Sequence, residues 1–468
     1  MNESDDSGAR FAAYADLLAK AVGHADRRGP LALYCQGLIL PGDRKSIEPM
    51  AARLDPDHVQ ARHQSLHHLV AQAGWSDEAL LRVVRCYARE AMEIQGPIEA
   101  WIVDDTAFPK KGIHSVGVAH QYCGPFGKTA NCQCAVSLSM ASRWASVPVG
   151  FRLYLSEAWV GDQERRADAG VPEAIEFMTK WQIAIALIDA QRQDGVPDLP
   201  VLADAGYGDA GPFREALTER QLVYAVGIAK TTMVWAHGNG PIPPRGRVGT
   251  GRPGTLLRRD AEHQPEKVKA LAENLPEKTW QKVAWGEGTR GVMESRFAAL
   301  RIRPAQRDYK RSETRPEEWL LIEWPESEQE PTKYWLSTLP ESTSIAQLVR
   351  TAKLRWRIER DYQEMKDELG LDHYEGRGWR GFHHHLSLCA ATYAFIVAER
   401  SRLSPLRSNP FLVSSMHPQE PSPFLEDTGA FRPERHSPYP ITTLRRRLER
   451  ILVRTLAYCP TCGRTRCA

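Results

Sequence analysis

The stretch AWIVDD, residues 100–105, separates two kinds of sequence pattern. Before it, from residue 10 to residue 95, apolar residues recur at helical spacing. The stretch itself is a short apolar run that ends in two acids, as in a strand that brings a carboxylate to the edge of a sheet. After it, residues 132–140 and 147–155 alternate apolar with small or polar residues, which predicts two more strands. We therefore predict a helical N-terminal module at residues 1–95, followed by an α/β domain.

A second strand-like run occupies residues 199–203 and leads directly into Asp204. Helical patterns surround it, and a further strand is predicted before residue 229. Between residues 229 and 340 the pattern becomes mostly strand-like, with four runs, at 280–285, 296–303, 319–324 and 333–337. The fold class predicted is α/β, with a domain at residues 96–400 that is interrupted by a β-rich insertion at about 229–340.

Composition and charge narrow the class of protein. The chain has 468 residues, of which 42% are hydrophobic and 25% charged, as in ordinary globular proteins. Its net charge of +3 does not by itself indicate nucleic acid. Residues 401–468, however, carry eleven Arg against five acids, and 444–456 form a basic helical pattern. This third segment is predicted to be a basic tail with a short helix, suited to a polyanion.

No membrane or secretory pattern is found. The first residues are acidic, and the longest mostly apolar stretch, residues 386–398, is too short for a span of about 20 residues. Nine Cys in so long a chain do not indicate a disulfide framework. A cytoplasmic location is expected.

Asp105 and Asp204 both follow apolar strands, where ligands bind in open α/β sheets. Each alone is weak evidence, because Asp commonly ends strands. Asp104 competes with Asp105, and strand alternation directs the two side chains to opposite faces, so only one of them should point into a site.

A charged helix provides the third acid. Ser344 can cap a long helix from residue 345 to about 369. At 100° per residue Arg355, Glu359 and Lys366 share one face of it. A solvated face with ion pairs four residues apart is the ordinary interpretation of such a pattern. A metal site is the alternative, because three carboxylates at one point repel each other unless cations neutralise them. Hard oxygen ligands favour Mg²⁺ or Mn²⁺, and flanking cations could hold phosphates.

Three sequence blocks together resemble one enzyme family. Residues 355–366, RWRIERDYQEMK, resemble the Y-x₂-R-x₃-E-x₆-K signature of cut-and-paste insertion-sequence DDE transposases, with matches at Arg355, Glu359 and Lys366. The Tyr of that signature falls on Ala352, which is a departure. DTAFPKKG from Asp105 and ADAGYGD around Asp204 resemble the first-acid and second-acid blocks of the same family.

The resemblance implies an RNase H-like catalytic core in which Asp105, Asp204 and Glu359 hold two Mg²⁺ ions, with Mn²⁺ as a substitute. Arg355 and Lys366 would contact DNA. The implied reaction is cleavage at the ends of an element and transfer of the 3′-hydroxyl ends into target DNA. The N-terminal module would bind the terminal inverted repeats, and a homodimer would form on the double-stranded DNA.

Three rival functions remain open. One is a non-transposing nuclease of the same fold, and the second is a domesticated DNA-binding protein without catalysis, which Ala352 keeps in view. A metal-dependent phosphatase that acts on small molecules is the third, and the basic tail argues against it.

Four further patterns in the sequence could indicate binding sites. Gly249, Gly251 and Gly254 form a G-x-G-x-x-G without the strand context of a dinucleotide site, so we reject that interpretation. The basic residues 238–259 around it form either a solvated loop or a contact with the DNA backbone, and the family resemblance favours the contact. Cys459, Cys462 and Cys467 lack a fourth ligand for structural zinc. His383, His384 and His385 are expected to be partly exposed or to face DNA.

Overall fold

The computed structural model describes residues 6–245, 254–288, 291–403 and 440–456. Contacts divide these residues into two compact units. The first unit holds the described residues up to Gly195 and those from Trp356 onward, and the second runs from Val196 to Arg355. The expected boundaries at residues 95 and 400 follow sequence patterns and stay predictions.

The first unit begins with five helices, contains four strands, and ends with further helices. Its helices are α1 Ser7–Ala21, α2 Arg28–Ile39, α3 Ile47–Leu54, α4 Val59–His67, α5 Asp77–Glu93, α6 Glu157–Gly161, α7 Gln163–Asp168, α8 Lys180–Gln193, α13 Trp356–Leu369, α14 Trp379–Arg402 and α15 Ile441–Val453. Its strands are β1 Ala100–Pro109, β2 Ala119–Cys123, β3 Lys128–Ala141 and β4 Ser146–Leu153. All pairs are antiparallel: β3 pairs with β1 along one edge, and with β2 and β4 along the other.

Helix α14 forms the centre of the first unit. Nearly all its side chains are buried, and it packs against α1, α2, α5, α13, α15 and β4. The N-terminal helices are joined to it by polar contacts as well. Arg10 donates two hydrogen bonds to Glu399, at 2.7 and 2.6 Å, and the Tyr14 hydroxyl donates to the carbonyl of Ala391. A paired charge of this kind fixes the position of α1 on α14.

The second unit is built on a mixed sheet. Its strands are β5 Val201–Ala203, β6 Tyr224–Ile228, β7 Met233–Trp235, β8 Glu266–Lys267, β9 Gln281–Gly288, β10 Gly291–Pro304, β11 Glu318–Trp324 and β12 Lys333–Ser337. Strand β5 is parallel to β6, and the pairs from β6 through β12, β11 and β10 to β7 and β9 are antiparallel. Its helices are α9 Ala205–Gly208, α10 Gly211–Glu219, α11 Val268–Glu273 and α12 Ile345–Leu354.

The predicted α/β fold class is confirmed, and the mixed sheet with its helices agrees with an RNase H-like core. All four strand-like runs of the insertion are strands. Helix α8 begins at Lys180, where Thr179 and Gln182 form a reciprocal capping box. Across the described residues, no helix is both long and apolar enough to cross a membrane.

The predicted helix from residue 345 to 369 is interrupted at one residue, Arg355, whose backbone stays in the right-handed helical region. Helix α12 ends at Leu354 and α13 begins at Trp356. The two halves bury their apolar faces in different units: Leu348 and Val349 lie in the core of the second unit, whereas Ile358 and Met365 are buried in the first. Helical spacing alone does not reveal that two consecutive helical segments pack into different hydrophobic cores.

Candidate active site

Asp104 and Asp105 point to opposite faces of β1, as strand alternation predicts. Asp104 lies opposite Ser137 on β3, and the Ser137 hydroxyl is 2.6 Å from the hydroxyl of Tyr362 on α13. Burial and then the charge of Asp104 raise the pKa of Tyr362. Asp104 therefore lies on the face that α13 covers, and Asp105 lies on the other.

Asp105 is paired with a cation from α8. The Lys180 ammonium is 2.7 Å from Oδ2 of Asp105, and the Cys134 thiol donates to the same oxygen at 2.9 Å. Burial lowers the pKa of Lys180, but interactions with Cys134 and Asp105 outweigh it, so the pKa is raised. Burial raises the pKa of Cys134 well above its usual range, so this group is a neutral thiol. Lys180 thus neutralises part of the Asp105 charge.

Asp204 is held by its own neighbours. It caps the short helix α9, where its carboxylate accepts from the backbone N–H of Tyr207 at 3.3 Å. A Cβ at Gly208 would overlap the carbonyl oxygen of Gly227 on β6, so only glycine lets α9 approach this strand so closely. Asp209 then accepts from the N–H of Ala229 at 2.9 Å. The block ADAGYGD thus places Asp204 at the end of β5 through its own helix cap and through contacts with Gly227 and Ala229.

Glu359 lies in the first turn of α13 and is exposed. An acid at this position is favoured by the helix dipole. Behind it, α13 is anchored by polar groups. Asp361 is buried and accepts from the Ser146 hydroxyl at 2.6 Å and from the Tyr393 hydroxyl at 2.9 Å. These bonds fix the rotation of α13 and therefore the direction in which Glu359 projects.

The other positions of the signature around Glu359, namely Lys366, Arg355 and Ala352, lie in different environments. Lys366 is half-buried: its ammonium donates to the carbonyl of Ala107 on β1 at 3.2 Å, and burial lowers its pKa. Arg355 is half-buried and is the last residue of the second unit. Ala352, at the Tyr position of the signature, is 5% exposed within the core of the second unit.

An open cleft of about 450 Å³ lies along the exposed side of α13. Its lining is mostly polar: Trp356, Glu359, Arg360, Gln363, Glu364, Asp367, Glu368 and Thr442. Arg360 pairs with Glu364, and Arg445 of α15 pairs with Glu368. The acids of this lining outnumber the cations, so the cleft does not suit a phosphate backbone.

The chemistry of the three predicted acids fits a divalent cation. Each provides carboxylate oxygens, the donors that Mg²⁺ and Mn²⁺ prefer; Glu359 is exposed, whereas Asp105 and Asp204 are partly buried. Asp105 and Glu359 belong to the first unit and Asp204 to the second. Within either unit, no three His, Cys, Asp or Glu side chains of the described residues form a metal-ligating group. A cation at Asp105 would compete with Lys180.

Several residues around the candidate site were not found from the sequence. Lys180 and Cys134 contact Asp105 from positions 75 and 29 residues away in the chain. Ser137 and Tyr362 join β3 to α13 across 225 residues. No local pattern marks such partners, since each pair is formed only when strands and helices pack.

The expectation for the three consecutive histidines was wrong. His383, His384 and His385 are 5%, 2% and 1% exposed. The two ring nitrogens of His384 lie 2.9 and 3.0 Å from the carbonyls of Val70 and Trp75, of which a neutral ring can donate to one, and burial lowers its pKa to about 4. These side chains are neutral members of the core and do not face DNA. Gly249, Gly251 and the cysteines at 459, 462 and 467 lie outside the described residues.

Comparisons with known proteins agree with the sequence blocks. A family model described as DDE superfamily endonuclease matches residues 17–292, which include Asp105 and Asp204 and stop before Glu359. A similar protein is the probable transposase for insertion sequence element IS701 of Microchaete diplosiphon. The two chains are 31% identical over 193 residues, and the match covers 41% of this chain and 46% of the relative. With more than half of its length matched by the family model, this chain belongs to the DDE superfamily of endonucleases.

Proposed function

We propose that this protein is a DNA transposase that cuts the ends of an insertion element and joins the freed 3′-hydroxyl ends to target DNA. The observation that carries the proposal is the family match across both Asp blocks, together with the Arg355, Glu359 and Lys366 pattern beyond the matched range. The printed name of the relative, a probable transposase, supports the same conclusion.

Asp105, Asp204 and Glu359 would hold two Mg²⁺ ions, for which Mn²⁺ can substitute. When bound, such ions lower the pKa of a nucleophilic hydroxyl and stabilise the leaving oxygen of a phosphodiester. The chain's own contribution is placement. Ser146 and Tyr393 hold α13 through Asp361. The close approach of Gly208 to Gly227 holds α9, which Asp204 caps.

A transposase needs contacts with DNA and with a second copy of itself. Arg355 and Lys366 would contact DNA near the scissile phosphate, and the N-terminal helices would bind the terminal inverted repeats. Two copies would bridge two element ends, so a homodimer on double-stranded DNA is expected. The protein would act in the cytoplasm, where bacterial DNA is found.

An assay of end cleavage and strand transfer tests this function. The substrate is duplex DNA with the element's terminal repeats, incubated with Mg²⁺. We expect Glu359→Gln to lose at least about 100-fold in cleavage rate, since even the partners of metal ligands are worth 10- to 100-fold. Asp367→Asn, an exposed acid on the same helix, is the matched control. A Glu359→Gln variant as fast as wild type would remove Glu359 from the mechanism.

The choice between the neighbouring acids needs its own comparison. Asp105 follows the family motif, whereas Asp104 lies on the face covered by α13. We expect Asp105→Asn to abolish cleavage and Asp104→Asn to retain more of it. The opposite ranking would assign the first metal ligand to Asp104 and leave Asp105 as the partner of Lys180.

A further inference from the structure

The β2–β3 hairpin exposes aromatic rings that no part of the first unit covers. Tyr122 on β2 is 65% exposed, and Phe126 in the connecting turn is 54% exposed. Ile113, in the loop before β2, is 65% exposed. These are three of only eight large apolar side chains with such exposure among the described residues. Exposed apolar groups concentrated in 14 consecutive residues indicate a binding surface, whereas scattered ones do not.

Buried side chains and hydrogen bonds hold the hairpin beneath these rings. Cys123, Cys132 and Ala107 form a buried cluster on the opposite face of the strands. The Asn131 amide donates to the carbonyls of Lys110 and Gly112, at 3.0 and 2.8 Å, and so fixes the preceding loop to β3. Rings on a fixed platform can bind a flat ligand at little entropic cost.

The charge around the rings is positive. From residue 106 to residue 156 the chain has no Asp or Glu. Lys110 turns inward, to the carbonyl of Tyr374, but Lys111 and Lys128 are exposed. Neither of them forms an ion pair within the part of the chain that the structure describes. Lys128 lies opposite Cys123 and therefore on the other face of the hairpin from Tyr122, so a nucleic-acid strand that crosses the end of the hairpin meets a ring on one face and an ammonium group on the other. Bases can stack on such rings, and phosphates are attracted to such cations.

We propose that the β2–β3 hairpin binds an unpaired stretch of the DNA substrate, with a base stacked on Tyr122 or Phe126 and phosphates held by Lys111 and Lys128. The inference rests on the proposed function for the identity of the nucleic acid as DNA. The hairpin is then a surface that binds a DNA strand and that does not include Asp105, Asp204 or Glu359.

The strand register sets the distance of this surface from Asp105. Val136 lies opposite Asp105, and Thr129 lies opposite Tyr122, so seven residues of β3 separate the two positions. At about 3.3 Å per residue this is roughly 23 Å. The same register puts Tyr122 on the face of Asp104 and not on the face of Asp105, so a DNA strand that reaches both Tyr122 and Asp105 has to pass around the edge of the sheet.

The test measures DNA binding in EDTA, so that catalysis plays no part. The probes are a fully paired duplex and the same duplex with a single-stranded tail, each followed by fluorescence anisotropy. We expect Tyr122→Ala combined with Phe126→Ala to weaken binding of the tailed probe by about 5- to 150-fold, the range for loss of a stacked base. Binding of the paired duplex should change much less.

Conservative variants separate stacking from simple apolar contact. Tyr122→Phe keeps the ring and should bind as wild type, whereas Tyr122→Leu keeps the apolar volume and should resemble Tyr122→Ala. Lys128→Gln should lower the slope of log affinity against log salt by about 0.7 on single-stranded DNA. Thermal melting of each variant checks that the hairpin still folds.

Two results would overturn the inference. One is equal affinity of the alanine variant and wild type for the tailed probe. The other is a change of oligomeric state in sedimentation with unchanged DNA affinity, which would make the hairpin a contact between copies of this chain. Failure of the proposed function has a different signature, namely no Mg²⁺-dependent cleavage by wild type while the stacking variants still lose affinity.

Discussion

The two units hold their predicted catalytic acids in different ways. Asp204 is positioned by a helix cap on its neighbour Tyr207 and by the close approach of Gly208 on α9 to Gly227 on the following strand, β6. Asp105 and the helix of Glu359 depend on distant partners, namely Lys180 for the first and Ser146 and Tyr393 for the second. Local sequence therefore describes the environment of Asp204 well and that of Asp105 poorly.

The largest effect is expected from breaking the local arrangement. In Gly208→Ala the new Cβ would overlap the backbone carbonyl of Gly227, and no side-chain rotation can relieve it. We expect a loss of roughly 3 kcal/mol or more in the free energy of unfolding. Gly29→Ala, where a Cβ would meet no atom within 4 Å, is the control. Equal stability of both variants in urea unfolding would show that α9 does not need this close approach.

Restoring the family's Tyr at position 352 tests a second local constraint. Ala352 packs with Leu348, Val349 and Phe297 in the core of the second unit. Ala352→Tyr should overpack this core and lower the free energy of unfolding by about 1–3 kcal/mol, with no gain in DNA affinity. Thr351→Tyr, at a partly exposed neighbouring position, should be close to neutral. A stable Ala352→Tyr variant that binds DNA more tightly would contradict the observed packing.

A pH shift probes the long-range contacts of the first unit. The Tyr34 hydroxyl is 2.8 Å from Nδ1 of His385, and Nε2 of the same ring is 3.0 Å from the carbonyl of Gly370, which follows α13. In the neutral ring Nε2 donates to the carbonyl of Gly370 and Nδ1 accepts from the Tyr34 hydroxyl, so both bonds are made without a charge. Burial lowers the pKa of His385 to about 4.

The sign of the effect follows from the lowered pKa. Between about pH 6.5 and pH 4 the unfolded chain binds a proton at His385 that the folded chain does not. Stability is therefore fully present above pH 6.5 and falls as the pH falls towards 4. From pH 7 to 5.5 the wild type should lose about 1 kcal/mol more than His385→Gln. His24→Gln, at an exposed histidine, should follow the wild type, and parallel curves for wild type and His385→Gln would contradict the assignment.

The smallest effect is expected at the Asp105 ion pair. Lys180 and Asp105 retain 34% and 26% side-chain exposure, so solvent screens their attraction. Lys180→Met should free Asp105 for a cation and lower, by about two- to fivefold, the Mg²⁺ concentration that gives half-maximal thermal stabilisation. Lys20→Met, at an exposed position in α1, should leave this concentration unchanged. A higher Mg²⁺ requirement in Lys180→Met would mean that Lys180 assists metal binding.

These contrasts explain how much the sequence could predict. The alternation of side chains along a strand correctly predicted that Asp104 and Asp105 point to opposite faces. The apolar runs of the insertion correctly predicted its strands. Burial of the three histidines could not be predicted, because their partners come from α2 and the segment after α4. The break at Arg355 could not be predicted either, since α12 and α13 continue one helical pattern while packing into separate cores.

The central claim is that the predicted acids hold a catalytic metal, and a metal switch at Glu359 tests it most directly. A thiolate binds Mn²⁺ better than it binds Mg²⁺, which prefers oxygen. We predict that Glu359→Cys does not cut terminal-repeat DNA in Mg²⁺ and recovers measurable cleavage in Mn²⁺. Asp367→Cys should cut like wild type in both metals. Full activity of Glu359→Cys in Mg²⁺ would contradict the claim that Glu359 binds the metal.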